Sequence, residues 1–222
     1  MVFYKLKETY KIKYYSPAEE KLNIISHAVG FVLSIVGFIS LISISYSYGN
    51  FKDIVSSIIF GTSLMILFAS STIYHSSTKP ELRIRLRILD HASIYILIAG
   101  TYTPFTLVTL HGTVGWTIFG ISWGLALIGI ILKIFFTGRF RILSTIMYVL
   151  MGWIIIFAIK PLMNGLSAEG LYWLFSGGIF YTVGAVLYAI KGIKFNHAIF
   201  HFFVLFGAFC HFTAVYFYVL TK

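Results

Sequence analysis

Long apolar stretches, separated by short polar breaks, follow one another along almost the whole chain. A helix needs about 20 apolar residues to cross the hydrocarbon core of a bilayer, and seven stretches approach that length. They are approximately Leu22–Tyr46, Ile54–Ser77, His91–Leu110, Thr113–Ile134, Ile142–Ile159, Leu171–Ile190 and His197–Leu220. Glycine, proline, asparagine and charged residues occupy the breaks, as is typical of turns. The pattern predicts an all-α membrane protein, a bundle of seven transmembrane helices.

The composition agrees with a membrane protein and leaves no room for a separate soluble domain. Of the 222 residues, 59% are hydrophobic and 11% are charged, whereas a soluble domain averages about 25% charged residues. The only long polar segment comprises residues 1–21, which is too short to bury a core of its own. We therefore expect a short cytoplasmic N-terminal segment at 1–21 and a seven-helix transmembrane domain at 22–222.

The net charge of +10 is explained by orientation in the membrane rather than by binding to nucleic acid. The 17 lysines and arginines are divided unequally between the two ends of the apolar stretches. The side opposite the N-terminus holds only Lys52, Lys160 and Lys222. Because basic residues favour the cytoplasmic side, this division predicts a cytoplasmic N-terminus and an outer C-terminus. Arg83, Arg85 and Arg87 are interpreted as part of this signal and as contacts for anionic lipids.

A cluster of ionisable residues is predicted at the inner end of the helices. With the N-terminus inside, five such residues reach a similar depth, namely His27, His75, Asp90, His197 and His201. Ionisable side chains are costly inside a bilayer and commonly mark a functional site. Three histidines and a carboxylate are also a familiar ligand set for a zinc ion that keeps one position open. The cluster is therefore a candidate metal site.

Two pairs of residues within this region have helical spacing. His197 and His201 are four residues apart, so both rings project from one helix face and can share a metal ion. Ser71 and His75 have the same spacing, which brings a hydroxyl beside an imidazole. The structural alternative for the serine is a hydrogen bond to its own helix.

Asp90 and three residues of the first helix have both structural and functional interpretations. Asp90 is expected at the start of the third helix, where an ion pair with Arg87 or a helix cap is the structural alternative. Glu20, Asn23 and His27 are spaced i, i+3, i+7 and share one helix face, where capping and hydrogen bonds between helices are natural roles. His27 is less favoured as a metal ligand and is expected to orient Asp90 or a bound water.

Two further histidines are placed outside the cluster. His111 falls in an outer loop and is expected to be solvated. His211 lies ten residues beyond His201, about 15 Å deeper along the helix. We expect it to be a buried, hydrogen-bonded histidine.

These motifs, in this order, resemble the three signatures of the progestin and adiponectin receptor family. The signatures are Glu20-x-x-Asn23-x-x-x-His27, Ser71-x-x-x-His75 with Asp90 shortly after, and His197-x-x-x-His201. The segment Leu89–Pro104 is similar to the bacterial hemolysin III branch of that family. The resemblance extends from Glu20 to His201, which is nearly the whole chain.

The resemblance implies a seven-helix protein of the bacterial plasma membrane, with a cytoplasmic N-terminus and an intramembrane zinc ion. It implies that His75, His197 and His201 are the zinc ligands, that Asp90 holds the water on the metal, and that Ser71 lies beside the site. The wider relatives include alkaline ceramidases, which are lipid amide hydrolases, and the name of the branch implies a cytolytic activity.

Two classes of function are compatible with these features. The first is a zinc-dependent hydrolase of a lipid amide or ester, in which the metal activates water, Asp90 orients or deprotonates that water, and Ser71 assists the oxyanion. The alternative is a non-enzymatic membrane-active, channel-like or sensor protein with a structural zinc. The outer half of the bundle offers few polar residues to line a pore. Membrane lipids, including a lipid substrate, are the expected partners, and the sequence does not indicate an oligomeric state.

Overall fold

The computed structural model describes residues 14–137, 141–190 and 192–221. Within these residues every regular element is helical, and seven helices are long and apolar enough to cross a membrane. They are Pro17–Tyr48, Phe51–Ser76, Pro80–Thr109, Gly112–Phe136, Ile142–Gly165, Ala168–Ala189 and Asn196–Val219. The predicted all-α, seven-span architecture is confirmed. Several residues of the charge argument lie outside the described residues, namely Lys5, Lys7, Lys11, Lys13, Arg139, Lys191 and Lys222.

The first helix begins earlier than the apolar pattern indicated because polar residues start it. The Ser16 hydroxyl accepts a hydrogen bond from the backbone N–H of Glu19 at 3.3 Å. Pro17 follows at the first helical position, where a missing N–H costs nothing. Residues 17–21 are therefore helical and bring the acidic first turn to the end of the bundle.

The third helix begins at Pro80, eleven residues before the predicted start at His91. Lys79 precedes this helix, so Asp90 lies well inside it. The expectation that Asp90 starts or caps the third helix is wrong. Hydropathy misses these first turns because they carry charged side chains, although an α-helix tolerates such residues readily.

The helices pack in chain order around a ring, and the seventh returns to contact the first. The first helix has a polar and small-residue face turned inward, made of Asn23, Ser26, His27, Gly30, Ser34, Gly37 and Ser45. Its opposite face carries exposed apolar residues such as Val32, Val36 and Ile39. This arrangement reverses that of a soluble protein, because the lipid tails outside are themselves apolar.

The fifth helix is interrupted, and a tyrosine of the third helix satisfies the backbone at the break. The α-helical turns Arg141–Gly152 are followed by a 3₁₀ segment at Ile154–Ala158. The buried Tyr102 hydroxyl lies 2.9 Å from the carbonyl oxygen of Met151 and 2.8 Å from that of Gly152. It also accepts the N–H of Ile155 at 3.1 Å. Side chains commonly re-satisfy the backbone where a transmembrane helix is broken.

We expect Tyr102→Phe to destabilise the protein, because it removes a buried hydroxyl that hydrogen-bonds to the backbone at the break in the fifth helix, without changing the ring. The loss should be about 1–3 kcal/mol and should lower Tm by several degrees. Thermal unfolding of purified protein in detergent would measure it. Tyr172→Phe, at a residue with 67% of its surface exposed on the sixth helix, is the matched control. Equal Tm values for the two variants would contradict the role given to Tyr102.

Candidate metal centre

Three buried histidines meet at one end of the bundle. His75 comes from the end of the second helix, and His197 and His201 come from the first turns of the seventh. His75 Nε2 lies 3.0 Å from His197 Nε2, which in turn lies 3.2 Å from His201 Nε2. All three residues are 6% exposed or less. The Nε2 atoms of His75, His197 and His201 therefore meet at one point, which is called the centre below.

The partners of the outer ring nitrogens determine the tautomers of two of these histidines. His75 Nδ1 lies 2.7 Å from Glu20 Oε2, and since a carboxylate can only accept, Nδ1 carries the proton. The amide nitrogen of Asn23 is also near His75 Nδ1, but at 3.5 Å it is the weaker contact. His201 Nδ1 donates to the Asn23 carbonyl oxygen at 3.3 Å. In a neutral ring each Nε2 then presents a lone pair to the centre.

This arrangement of donor atoms fits a metal ion. Bonds of about 2.0–2.1 Å in tetrahedral geometry separate two imidazole nitrogens by about 3.3 Å, close to the two measured distances. Lone pairs that converge in a buried space repel one another unless a cation lies between them. Among the described residues, His75, His197 and His201 form the group of ligating side chains whose donor atoms all lie within 4.8 Å of one another. These three histidines can hold a metal ion.

A carboxylate and a guanidinium hold His75 in place. Glu20 uses one oxygen for His75 and the other for Arg83. Arg83 also donates to the backbone carbonyls of Tyr74, His75 and Ser77, at 3.4, 3.3 and 3.0 Å, where the second helix ends. With 2% of its surface exposed, Arg83 caps that helix. Its interpretation as a contact for anionic lipids is wrong.

The inner face of the first helix contacts the centre, as its i, i+3, i+7 spacing predicted. Asn23 is fully buried and receives His201 Nδ1–H at its backbone oxygen. Ser26 Oγ lies 3.3 Å from the same nitrogen. The His27 ring stacks on the His201 ring with a centroid separation of 3.6 Å and an interplanar angle of 9°. His27 therefore packs against the group of three histidines and is not part of it.

A chamber of about 180 Å³ extends from this centre into the bundle. Ser71, Asp90, His197 and His201 line it at one end. The carboxyl of Asp90 is buried, interacts with Ser71, and has Oδ2 at 3.9 Å from His91 Nε2. Most other lining residues are apolar or aromatic. The chamber thus joins a polar end to a long apolar interior.

His211 lies near the other end of the chamber and outside the histidine group. Its Nε2–H donates to the carbonyl oxygen of Leu174 at 3.1 Å, and the residue is buried, which confirms the expectation of a buried, hydrogen-bonded histidine. Gly177 permits this contact, since any side chain there would clash with the imidazole. His111 is exposed at the start of the fourth helix, also as expected.

Two residues near the site were not identified from the sequence. The Tyr15 ring stacks on His197, with centroids 4.6 Å apart and planes 13° apart. Lys133 is 5% exposed and lines the chamber, although the charge pattern indicates only a role in orientation. No sequence motif marks Tyr15. Lys133 could have been noticed in the sequence, because it lies within the predicted apolar stretch Thr113–Ile134 and not in the following loop.

Comparisons with known proteins agree with the fold and the motifs. The family described as Haemolysin-III related matches residues 15–212. A hemolysin-3 homolog of Bacillus subtilis (strain 168) is 50% identical over 200 residues, covering 90% of this chain and 94% of the relative. Hemolysin-3 of Bacillus cereus is 48% identical over 202 residues, covering 91% and 92%.

More distant similarity extends to animals. The human monocyte to macrophage differentiation factor is 27% identical over 207 residues, covering 90% of this chain and 84% of the relative. No solved structure matches the chain significantly. The seven spans and the Bacillus relatives identify a multi-pass integral protein of the bacterial plasma membrane. The chain belongs to the haemolysin III-related family.

Proposed function

We propose that this protein is a zinc-dependent hydrolase of a lipid amide or ester bond. The observation that carries the proposal is the group of three histidines, two of which line one end of an apolar chamber together with Asp90 and Ser71. A metal site with three protein ligands and space beside it is the arrangement of catalytic zinc centres. A purely structural zinc site usually has four protein ligands.

The chemistry of the donor set favours zinc. Three imidazole nitrogens suit zinc better than magnesium or calcium, which prefer oxygen. A bound zinc ion would supply Lewis acidity, which makes water a better nucleophile and polarises an acyl carbonyl. Glu20 supports the ligands, because a carboxylate that accepts the outer N–H of His75 orients the ring and raises its basicity.

Asp90 and Ser71 have the remaining chemical roles. The Asp90 carboxylate faces the chamber and interacts electrostatically with His75, so it can orient a water molecule and accept its proton at Oδ. Ser71 stands beside it and can donate its O–H to the developing oxyanion. His27 stacks on His201 and positions that ring by contact.

The chamber is suited to an acyl chain. It is lined from Asp90 to Phe105 of the third helix, and these residues span about 22 Å at 1.5 Å per residue. Its volume of about 180 Å³ exceeds that of a cavity of about 150 Å³ that binds benzene, so it has room for the first carbons of an acyl chain while the rest of the tail would stay in the bilayer. The apolar walls exclude water from the tail, while the polar end receives the bond to be cleaved.

The alternative is a membrane-active or sensor protein in which the metal is structural. Cytolysis, which the name hemolysin-3 implies for the Bacillus cereus relative, belongs to this class. Retained metal without turnover of any lipid would favour it.

We also propose that the polar end faces the cytoplasm and that residues 1–21 form a short segment on that side. The support is the excess of basic residues at this end of the helices.

Zinc content tests the ligand assignment. Purified protein should contain about one zinc ion per chain by elemental mass spectrometry. His197→Ala and His201→Ala should each release most of it, because two protein ligands rarely hold zinc tightly. His111→Ala is the matched control and should keep its zinc. Full occupancy in His201→Ala would remove that residue from the site.

Asp90→Asn distinguishes an enzyme from a structural metal protein. The variant should keep its zinc and its Tm but hydrolyse lipid at least about 100-fold more slowly, since an amide cannot take the proton. Arg87→Gln is the comparison. If Asp90 served only as an ion-pair partner of Arg87, both variants would have a lower Tm, and both would still hydrolyse lipid. Full activity of Asp90→Asn would argue against hydrolysis at this site.

Cysteine labelling tests the orientation. In a Cys210→Ala background, cysteines placed at Lys11 and Lys222 should react with a membrane-impermeant maleimide from opposite sides of intact cells. Only the one at 222 should react before permeabilisation. Labelling of both from the same side would overturn the orientation and move the polar end to the other leaflet.

A further inference from the structure

Lys133 is a buried charged residue on the wall of the same chamber. It lies in the last turn of the fourth helix, Gly112–Phe136, and is 5% exposed. The chamber that Lys133 lines also contains Asp90, His197 and His201. An ionisable side chain inside a membrane protein, facing a cavity, marks a functional site by default.

The ammonium group is surrounded by residues of the fifth helix. Its Nζ donates to Ser144 Oγ at 2.7 Å and lies 5.6 Å from the centroid of the Tyr148 ring. The Tyr148 hydroxyl donates to the backbone oxygen of His91 at 3.0 Å, next to Asp90. Thr145, one residue after Ser144, also lines the chamber. Lys133 is thus positioned with hydroxyl groups near the reactive end.

Lys133 lies close to the boundary between the hydrocarbon core and the lipid headgroups. The fourth helix has 25 residues and is therefore about 37 Å long, which exceeds the hydrocarbon core of about 30 Å. With this helix centred in the bilayer, Lys133 is nine residues from the helix midpoint and about 14 Å from the bilayer centre, which is close to the edge of the hydrocarbon core. The acyl bonds of bilayer lipids lie at this edge, and the phosphates lie just beyond it, within reach of a lysine side chain.

We infer that Lys133, with Ser144 and Thr145, binds the phosphate of a phospholipid headgroup while the first carbons of an acyl chain of that lipid occupy the chamber. A lysine ammonium binds phosphate as a point charge, and serine and threonine hydroxyls donate to its oxygens. The inference rests on the proposed function and specifies its substrate class: a phosphate-bearing lipid rather than an uncharged one.

Binding of non-hydrolysable lipids tests the inference without requiring turnover. The probes are dioctyl-glycerophosphoglycerol and dioctylglycerol, both ether-linked, titrated against the full zinc-loaded chain in neutral detergent by calorimetry. The wild type should bind the phosphate-bearing probe at least about tenfold more tightly, the effect of one charge-assisted interaction. Lys133→Met should lose this preference and keep its affinity for dioctylglycerol. Lys133→Arg should retain part of it.

Control variants show whether the preference belongs to Lys133 and to the headgroup phosphate. Lys160→Met, at an exposed lysine of the fifth helix, should keep the preference. Ser144→Ala retains the charge and should reduce the preference only partly, which provides a second variant if Lys133→Met does not fold. Equal affinity of the wild type for both probes, or an unchanged preference in Lys133→Met, would overturn the inference. Displacement of the lipid by an equal concentration of inorganic phosphate would also overturn it, since the site would then bind free phosphate.

The outcome is independent of the test for hydrolysis. Zinc-dependent hydrolysis without a phosphate preference would refute the role of Lys133 and leave the proposed function intact. A preference that depends on Lys133, in a protein that hydrolyses no lipid, would refute the proposed function and leave the binding site.

Discussion

A polar group in this bundle is costly unless it finds a partner inside the protein, because the hydrocarbon core provides no water to hydrogen-bond with. That constraint explains several hydrogen bonds and the direction in which polar side chains point. Tyr102 supplies a hydroxyl where the fifth helix is broken, and Arg83 covers the carbonyls where the second helix ends. The polar face of the first helix is turned inward for the same reason. The three histidines that can hold a metal ion are likewise buried away from lipid.

Glu20 is the point at which these interactions meet. One carboxylate oxygen orients His75 and the other contacts Arg83, so the first, second and third helices are joined at a single residue. The negative charge of Glu20 therefore affects both the packing of these helices and the protonation of His75. It sets the tautomer of His75, which directs a lone pair to the centre, and it balances a buried guanidinium. Fold and site are therefore linked by the same carboxylate.

The chamber separates two environments within a short distance. Its polar end contains His197, His201, Asp90 and Lys133, whereas its interior is bounded mainly by apolar and aromatic side chains. A lipid has the same division between headgroup and tail, and the division falls at the edge of the hydrocarbon core. If the proposed lipid substrate binds here, its headgroup and tail would match the two ends of the chamber because of the depth of the site in the membrane, as well as through individual contacts.

The sequence by itself determined the number of spans, because apolar length is a local property that does not depend on neighbouring helices. It also singled out the polar residues of the centre, since such residues are rare in apolar helices and their spacing identifies the face on which they lie. It failed for two buried basic residues, Arg83 and Lys133. Hydropathy assigns the same value to Arg83 or Lys133 whether the side chain faces water, a helix end or an internal chamber. Only the tertiary structure decided these cases, along with the pairing of Glu20 with His75. Both depend on distances between residues that are far apart in the chain.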